Sequence, residues 1–321
     1  MLRGRPGSPS LRRIWCILLR GIKACLHAAA QRPTAPRAGA IQGLTPDNRR
    51  DIWHDKVRRF TVAAPPRGRA LRSAILAPLL VALAAPAAAA SCRAIEVEGA
   101  GYTLCEADAA RDDIRLFLND PGSDTLLGSF ANVERLLENQ GQRLAFAMNG
   151  GMYHPDRRPV GLHVEAGRKI APLVTRAGPG NFGMLPNGVF CLREDRADVI
   201  ESREFAREAP ACRFATQSGP MLVIDGALHP RFIEDSESRF IRNGVGTSAD
   251  GRRAWFLISD APVNFHRFAR VFRDHIGARQ ALYLDGKVSR LHAPGLNRSD
   301  QGLLPLGPIL GVVVDEGVPL D

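Results

Sequence analysis

The chain has 321 residues, 45 % of them apolar, enough to bury a substantial core, and carries 43 Lys and Arg against 33 Asp and Glu for a formal charge of +10. That surplus lies wholly in the first 90 residues, with 16 basic and 3 acidic groups, which leaves 27 basic and 30 acidic groups in residues 91–321. The part with the composition of a folded domain therefore has no polyanion-binding surplus, and its charge excludes nucleic acid as the expected partner.

Residues 1–66 are rich in Arg and Pro and show no amphipathic period, so they read as a disordered basic tail or an over-extended gene start; no Met occurs between Met1 and Met148. Residues 67–90 read as a secretory signal. Arg67, Arg69 and Arg72 precede an apolar run from Ala74 to Ala85, and small residues lead to an expected cut between Ala90 and Ser91. The run is short for a bilayer span, so membrane contact is expected only through this signal. An uncleaved anchor is the alternative. A lipoprotein at Cys92 lacks the Leu of a lipobox. Residues 91–321 are then one exported domain, periplasmic or secreted, whose Cys92, Cys105, Cys191 and Cys212 are expected as disulfides, with Cys92–Cys105 and Cys191–Cys212 closing the shortest loops. No C-x-x-C or Cys/His spacing suggests a metal, and no cofactor is implied.

Alternation predicts strands at 94–98, 102–107 and 114–118, then a helix over 129–141 with Phe130, Val133, Leu136 and Leu137 on one face. A buried strand at 143–148 follows. Hairpins are predicted at 162–170 about Gly167 and at 182–192 about Asn187 and Gly188. Strands at 213–226, a hairpin about Asp250 and Gly251, a helix from the Asn264 cap to Gly277, and strands at 280–286, 288–293 and 308–316 complete the chain. Many strands, two or three helices and no regular strand–helix alternation predict an α+β domain of mixed or antiparallel sheets.

Polar residues accumulate where four apolar strands stop: Asn149-Gly150-Gly151, Gln217-Ser218-Gly219-Pro220, Arg242-Asn243-Gly244-Val245-Gly246, and Asp285-Gly286 with Ser289. Each couples a small residue, which lets a ligand or backbone come close, to a side chain that can hydrogen-bond or carry charge. With "NGGMY", "TQSGPMLV", "RNGVG" and "YLDG" in this order, the chain resembles the phosphodiester glycosidase family over residues 94–315. The resemblance implies hydrolysis of a sugar-1-phosphodiester at the glycosidic carbon, with a glycan or sugar phosphate as partner. Where the family commonly has a second Gly after Leu-Asp-Gly, this chain has Lys287.

For that chemistry Arg242 is the expected phosphate clamp, its planar guanidinium matching two phosphate oxygens. Asp285 is the expected catalytic carboxylate, and Asp260 its acid/base partner, with Asp156 as the other candidate. Asn149, Gln217, Ser218 and Asn243 are expected to bind substrate with Arg158, Lys287 and Ser289, with His154 next in line. Gly150, Gly151, Gly219 and Gly286 are expected to leave room for the ligand. His292 is read as an ordinary exposed histidine. "GPGNFG" at 178–183 follows no clear strand and opens no helix, so a dinucleotide site is not expected there. Two competing readings remain: a non-catalytic glycan-binding or assembly protein on the same scaffold, and an esterase with Ser218 as nucleophile, which requires His154 or His266 beside it and lacks the G-x-S-x-G elbow.

Overall fold

Short apolar segments, some exposed on one face and others such as Gly188–Leu192 and Asn243–Thr247 buried throughout, form seventeen strands among residues 90–320, which are described here in a computed structural model. The expected extension at 1–66, and all but the last residue of the expected signal, lie outside the described residues.

The elements in chain order are β1 (Ser91–Val97), β2 (Ala100–Asp108), β3 (Asp113–Phe117), α1 (Phe130–Glu138), β4 (Gln142–Asn149), β5 (His163–Glu165), β6 (Arg168–Ala171), β7 (Gly188–Leu192), β8 (Ala197–Glu201), α2 (Ser202–Glu208) and β9 (Phe214–Ser218). The second half holds β10 (Met221–Ile224), β11 (Ala227–Leu228), β12 (Asn243–Thr247), β13 (Arg253–Ser259), α3 (Phe265–Arg270), β14 (Gln280–Asp285), β15 (Leu291–Ala293), β16 (Arg298–Ser299) and β17 (Ile309–Asp315).

Three sheets result, ordered β1-β2-β13-β12-β14-β10-β11, β16-β15-β4-β17-β3 and β6-β5-β9-β7-β8. All their strand pairs are antiparallel. The fold is α+β, as the missing strand–helix alternation predicts. One aromatic from each sheet meets at the centre, where Phe256 of β13 lies 5.2 Å from Phe146 of β4 and 6.0 Å from Phe190 of β7. That contact marks the main core between the sheets.

Both expected long helices form. Ser129 caps α1 through a bond from the Asn132 N–H, and Val133 and Leu137 bury against Leu144, Ile309 and Val313. Asn264 caps α3 in the same way, a π-helical turn over Val271–Ile276 extends it, and Gly277 ends it at φ 79°. Phe268 and Phe272 of this segment press on β12. A Cβ at Gly246 would lie 2.8 Å from the Phe272 ring, and one at Gly244 would lie 3.3 Å from that of Phe268. The glycines of "RNGVG" thus serve helix-on-sheet packing.

The expected hairpin at 182–192 does not form. Gly188 instead opens β7, which is paired on both sides, by β8 and β9, while Asn187 folds back to donate to the Phe182 carbonyl at 2.8 Å. The 213–226 segment divides at Gly219-Pro220, so that β9 and β10 belong to different sheets.

Both expected disulfides are present, Cys92–Cys105 and Cys191–Cys212. The second spans 21 positions, a loop whose closure removes unfolded-state entropy. Replacing both its cysteines with serine is expected to lower unfolding free energy by about 3 kcal/mol, as a drop in urea midpoint.

Candidate active site

Strand ends from all three sheets converge. β12 and β14 pair antiparallel with Asn243 opposite Asp285, so the start of one strand and the end of the other lie side by side. Asn149 ends β4 and Ser218 ends β9. Side chains tie these ends together. Asn243 Nδ2 donates to the Asn149 carbonyl at 3.0 Å, Asn149 Nδ2 donates to Asp285 Oδ2 at 3.3 Å, and Ser218 Oγ donates to the Leu284 carbonyl at 3.0 Å. Ser289 Oγ lies 2.8 Å from the Asp285 carbonyl and 3.2 Å from Asn243 Oδ1. The Arg290 N–H donates to Asn149 Oδ1 at 2.7 Å, which sets the amide so that its NH₂ faces the carboxylate.

Asp285 is the centre of this network and is only 8 % exposed. Burial pushes its carboxyl above the usual carboxylate range, against N–H donors from Lys287, Gly286 and Asn149 that favour the ionised form. It opens onto a cavity of about 540 Å³ whose walls include Lys287, Arg157, Tyr153, Phe182 and Phe240. Burial, and then the charge of Asp285, push the Tyr153 hydroxyl up to about 12, so at neutral pH it stays protonated. Arg157 lies with Cζ 5.3 Å from the Tyr153 ring centroid. The site therefore offers one carboxylate, two cations and two tyrosines around an aromatic-walled space.

The phosphodiester glycosidase profile matches residues 142–313, which contain Asn149, Arg242, Asp285 and every residue that lines this cavity. The chain belongs to the phosphodiester glycosidase family. It is 38 % identical over 159 residues to the uncharacterized protein YigE of Escherichia coli (strain K12), a match covering 50 % of this chain and 61 % of YigE. It is also similar to the zebrafish N-acetylglucosamine-1-phosphodiester alpha-N-acetylglucosaminidase catalytic domain, auto-inhibited by its pro-peptide, at 12 % identity and a TM-score of 0.49, over 70 % of this chain and 81 % of that one.

Not every expected residue of this family member reaches the cavity. Arg242 is fully buried, and its guanidinium is spent on the Val263 carbonyl, the Ser238 carbonyl and the Tyr283 hydroxyl at 2.8, 2.9 and 3.2 Å, leaving no free fork for phosphate. Asp260 does not line the cavity; Arg298 holds it in an ion pair at 2.6 Å. Arg158 points to solvent, paired with Asp156 at 2.7 Å, and its neighbour Arg157 lines the cavity instead. Gln217 is buried, with its oxygen on the Leu162 and Val174 N–H groups and its nitrogen on the Val174 carbonyl and Ser202, so it braces loops and has nothing left for a sugar. Ser218 bonds a carbonyl rather than a histidine, which removes the esterase reading. His154 is exposed and lines no part of the cavity.

The glycines also serve the protein itself. A Cβ on Gly150 would meet the Ile309–Leu310 peptide at 2.9 Å, one on Gly151 would meet Thr216 Oγ1 at 2.6 Å, and one on Gly219 would meet the Asn187 Cβ at 2.6 Å. Gly286 sits over the Tyr283 hydroxyl. These positions let three sheets close together behind Asp285. Gly150, Gly151 and Gly219 do not hollow out ligand space, whereas Gly286 lines the cavity between Asp285 and Lys287.

Tyr153, Arg157, Phe182, Phe240 and Tyr283 are among the wall residues that the sequence does not single out. Tyr153 had a signal, as the aromatic after Asn-Gly-Gly. Phe182 lies in the "GPGNFG" segment, which closes on itself through the Gly178 N–H and the Gly183 carbonyl and lines the cavity. Among the described residues no group of three or more His, Cys, Asp and Glu side chains could hold a metal ion.

Proposed function

We propose that this protein is an exported hydrolase that cleaves the glycosidic bond of a sugar-1-phosphodiester in envelope or extracellular glycans. The observation that carries this is a nearly buried carboxylate, Asp285, opening onto the same cavity as the cations Lys287 and Arg157.

Breaking the C1–O bond sends its electron pair to the phosphate oxygen and leaves a phosphomonoester, while water supplies the new hydroxyl at C1. The departing group gains a second negative charge, and a phosphomonoester tolerates it near neutral pH because its second pKa is about 6. It needs cations more than it needs a proton donor, and Lys287 and Arg157 are suited to that task. Asp285 then stabilises the electron-poor C1 or takes the proton of the attacking water. One carboxylate suffices for such a leaving group, in keeping with a wall in which Asp285 is the only carboxylate among the described residues.

Export is supported by the two disulfides, which persist in oxidising compartments, and by the basic, apolar and small-residue segment that ends directly before β1.

Incubation with a sugar-α-1-phosphodiester is expected to release free sugar and a phosphomonoester. Release of inorganic phosphate or of the intact sugar phosphate would overturn the reading, and binding without turnover would favour the glycan-binding alternative. Lys287→Ala is expected to lower kcat as well as kcat/KM, by roughly tenfold or more, the signature of losing a cation that meets the charge gained by the departing phosphate in the transition state. Steady-state kinetics on the same diester measures both.

A further inference from the structure

We infer that a second cavity beside the first binds neutral, hydroxyl-rich sugar units of the glycan whose phosphodiester lies at Asp285. This inference rests on the proposed function for the identity of the first cavity. The second has about 590 Å³ of space between the start of α1 and the 299–306 segment, and Leu304 lines both. Arg290 also joins them. Its backbone N–H fixes Asn149, the amide that faces Asp285, while its side chain lines the second cavity and donates to the Leu304 carbonyl at 3.0 Å.

The two spaces differ in charge, and the difference sorts the ends of a substrate. The first presents two cations to one carboxylate, whereas the second presents Glu134, Glu138 and Asp300 to Arg290 and His292. A phosphate is repelled from the second and drawn to the first. Carboxylates that repel phosphate are strong acceptors for sugar hydroxyls, and Glu138 stands exposed there with no ion-pair partner among the described residues. Two further polar groups of the wall are held in place by the protein. His292, expected as an exposed residue, is half-enclosed and bonded at both ring nitrogens, to Ser299 Oγ at 2.9 Å and Glu134 Oε1 at 3.0 Å. Asp300 is fixed by Arg298 and by the Leu291 N–H. Beside these acidic and polar groups the wall holds Leu126, Leu127, Phe130 and Leu303, and such a mixed wall suits the hydroxyl edges and apolar ring faces of a neutral oligosaccharide and does not suit a second phosphate.

The test compares diesters of one sugar phosphate carrying either a methyl group or a neutral tetrasaccharide, with the tetrasaccharide placed on the glycosyl half in one compound and on the alcohol half in another. One of the long diesters is expected to exceed the methyl diester in kcat/KM by tenfold or more. Ala131→Trp, which fills the second cavity from an exposed position on α1, and Glu138→Ala are expected to remove that gain and leave the methyl diester unchanged. If the methyl diester is turned over and neither long one is better, the second cavity is not a glycan site and the role of Asp285 stands. If nothing is turned over, the reading of the first cavity falls. Titration of the full chain with the phosphate-free tetrasaccharide then decides the second alone: binding lost in Ala131→Trp supports the inference, and absence of binding overturns it.

Discussion

Asp285→Asn is expected to lower kcat/KM for a sugar-1-phosphodiester by roughly 10³-fold, within the range for removing an acid/base or charge-stabilising group, while circular dichroism shows a folded protein. Asparagine keeps the size of the side chain and one oxygen for the Gly286 and Lys287 N–H groups, so the backbone has no reason to move. It loses the charge and turns an NH₂ toward Asn149 Nδ2, so the fall in rate reports the carboxylate together with that one hydrogen bond. Activity equal to wild type would end the assignment of Asp285.

The same carboxylate ties activity and stability to pH in opposite senses. Because burial raises its pKa in the folded protein, the native state holds this proton where the unfolded chain has already released it. Its contribution to stability is therefore full below the ordinary carboxylate range and declines as pH rises toward the raised native value. Hydrolysis needs the ionised form, so kcat/KM should climb through that window, with an acid limb displaced upward from the usual carboxylate range. An acid limb at the ordinary carboxylate position would show that a different group controls the rate.

Much of this molecule is legible in its sequence because local physics produces it. Alternation marks β1, β2 and β3, an apolar run marks β4, and Ser129 and Asn264 announce two helices whose caps form as the residue types require. β8 and α2 escape because "ADVIE" buries only Ala197 and Val199 fully, and because α2 is capped by Glu201, an unusual residue for the task. The four motifs at strand ends do meet in space. What each side chain does there depends on partners far along the chain, which residue type cannot specify. Arg157 and Arg158 are indistinguishable as letters; the left-handed backbone at Arg157, φ 70°, accompanies one lining the cavity and the other facing solvent. The glycines were misread for a similar reason. A missing Cβ signals a close approach without saying whether a ligand or the protein's own backbone makes it.

Arg242→Ala is expected to cost about 3–5 kcal/mol of unfolding free energy, which in a domain of this size lowers the melting temperature by roughly 10 °C. The buried guanidinium has no carboxylate partner among the described residues. It is held by two carbonyls and a phenol and by the Phe265 ring, whose centroid lies 3.6 Å from Cζ. Truncation leaves a void and strands the Val263 and Ser238 carbonyls without their donor. Burial already lowers the hold of Arg242 on its own proton, so its charge is tolerated for what it organises: Tyr283, which supports Gly286, and the Ser238 and Val263 segments around Phe240. Arg242→Lys separates the alternatives. Lysine keeps the charge and loses the fork, so stability should fall by less than in Arg242→Ala, while KM measured well below the melting temperature stays near wild type. A large rise in KM at unchanged melting temperature would instead make Arg242 a direct phosphate contact.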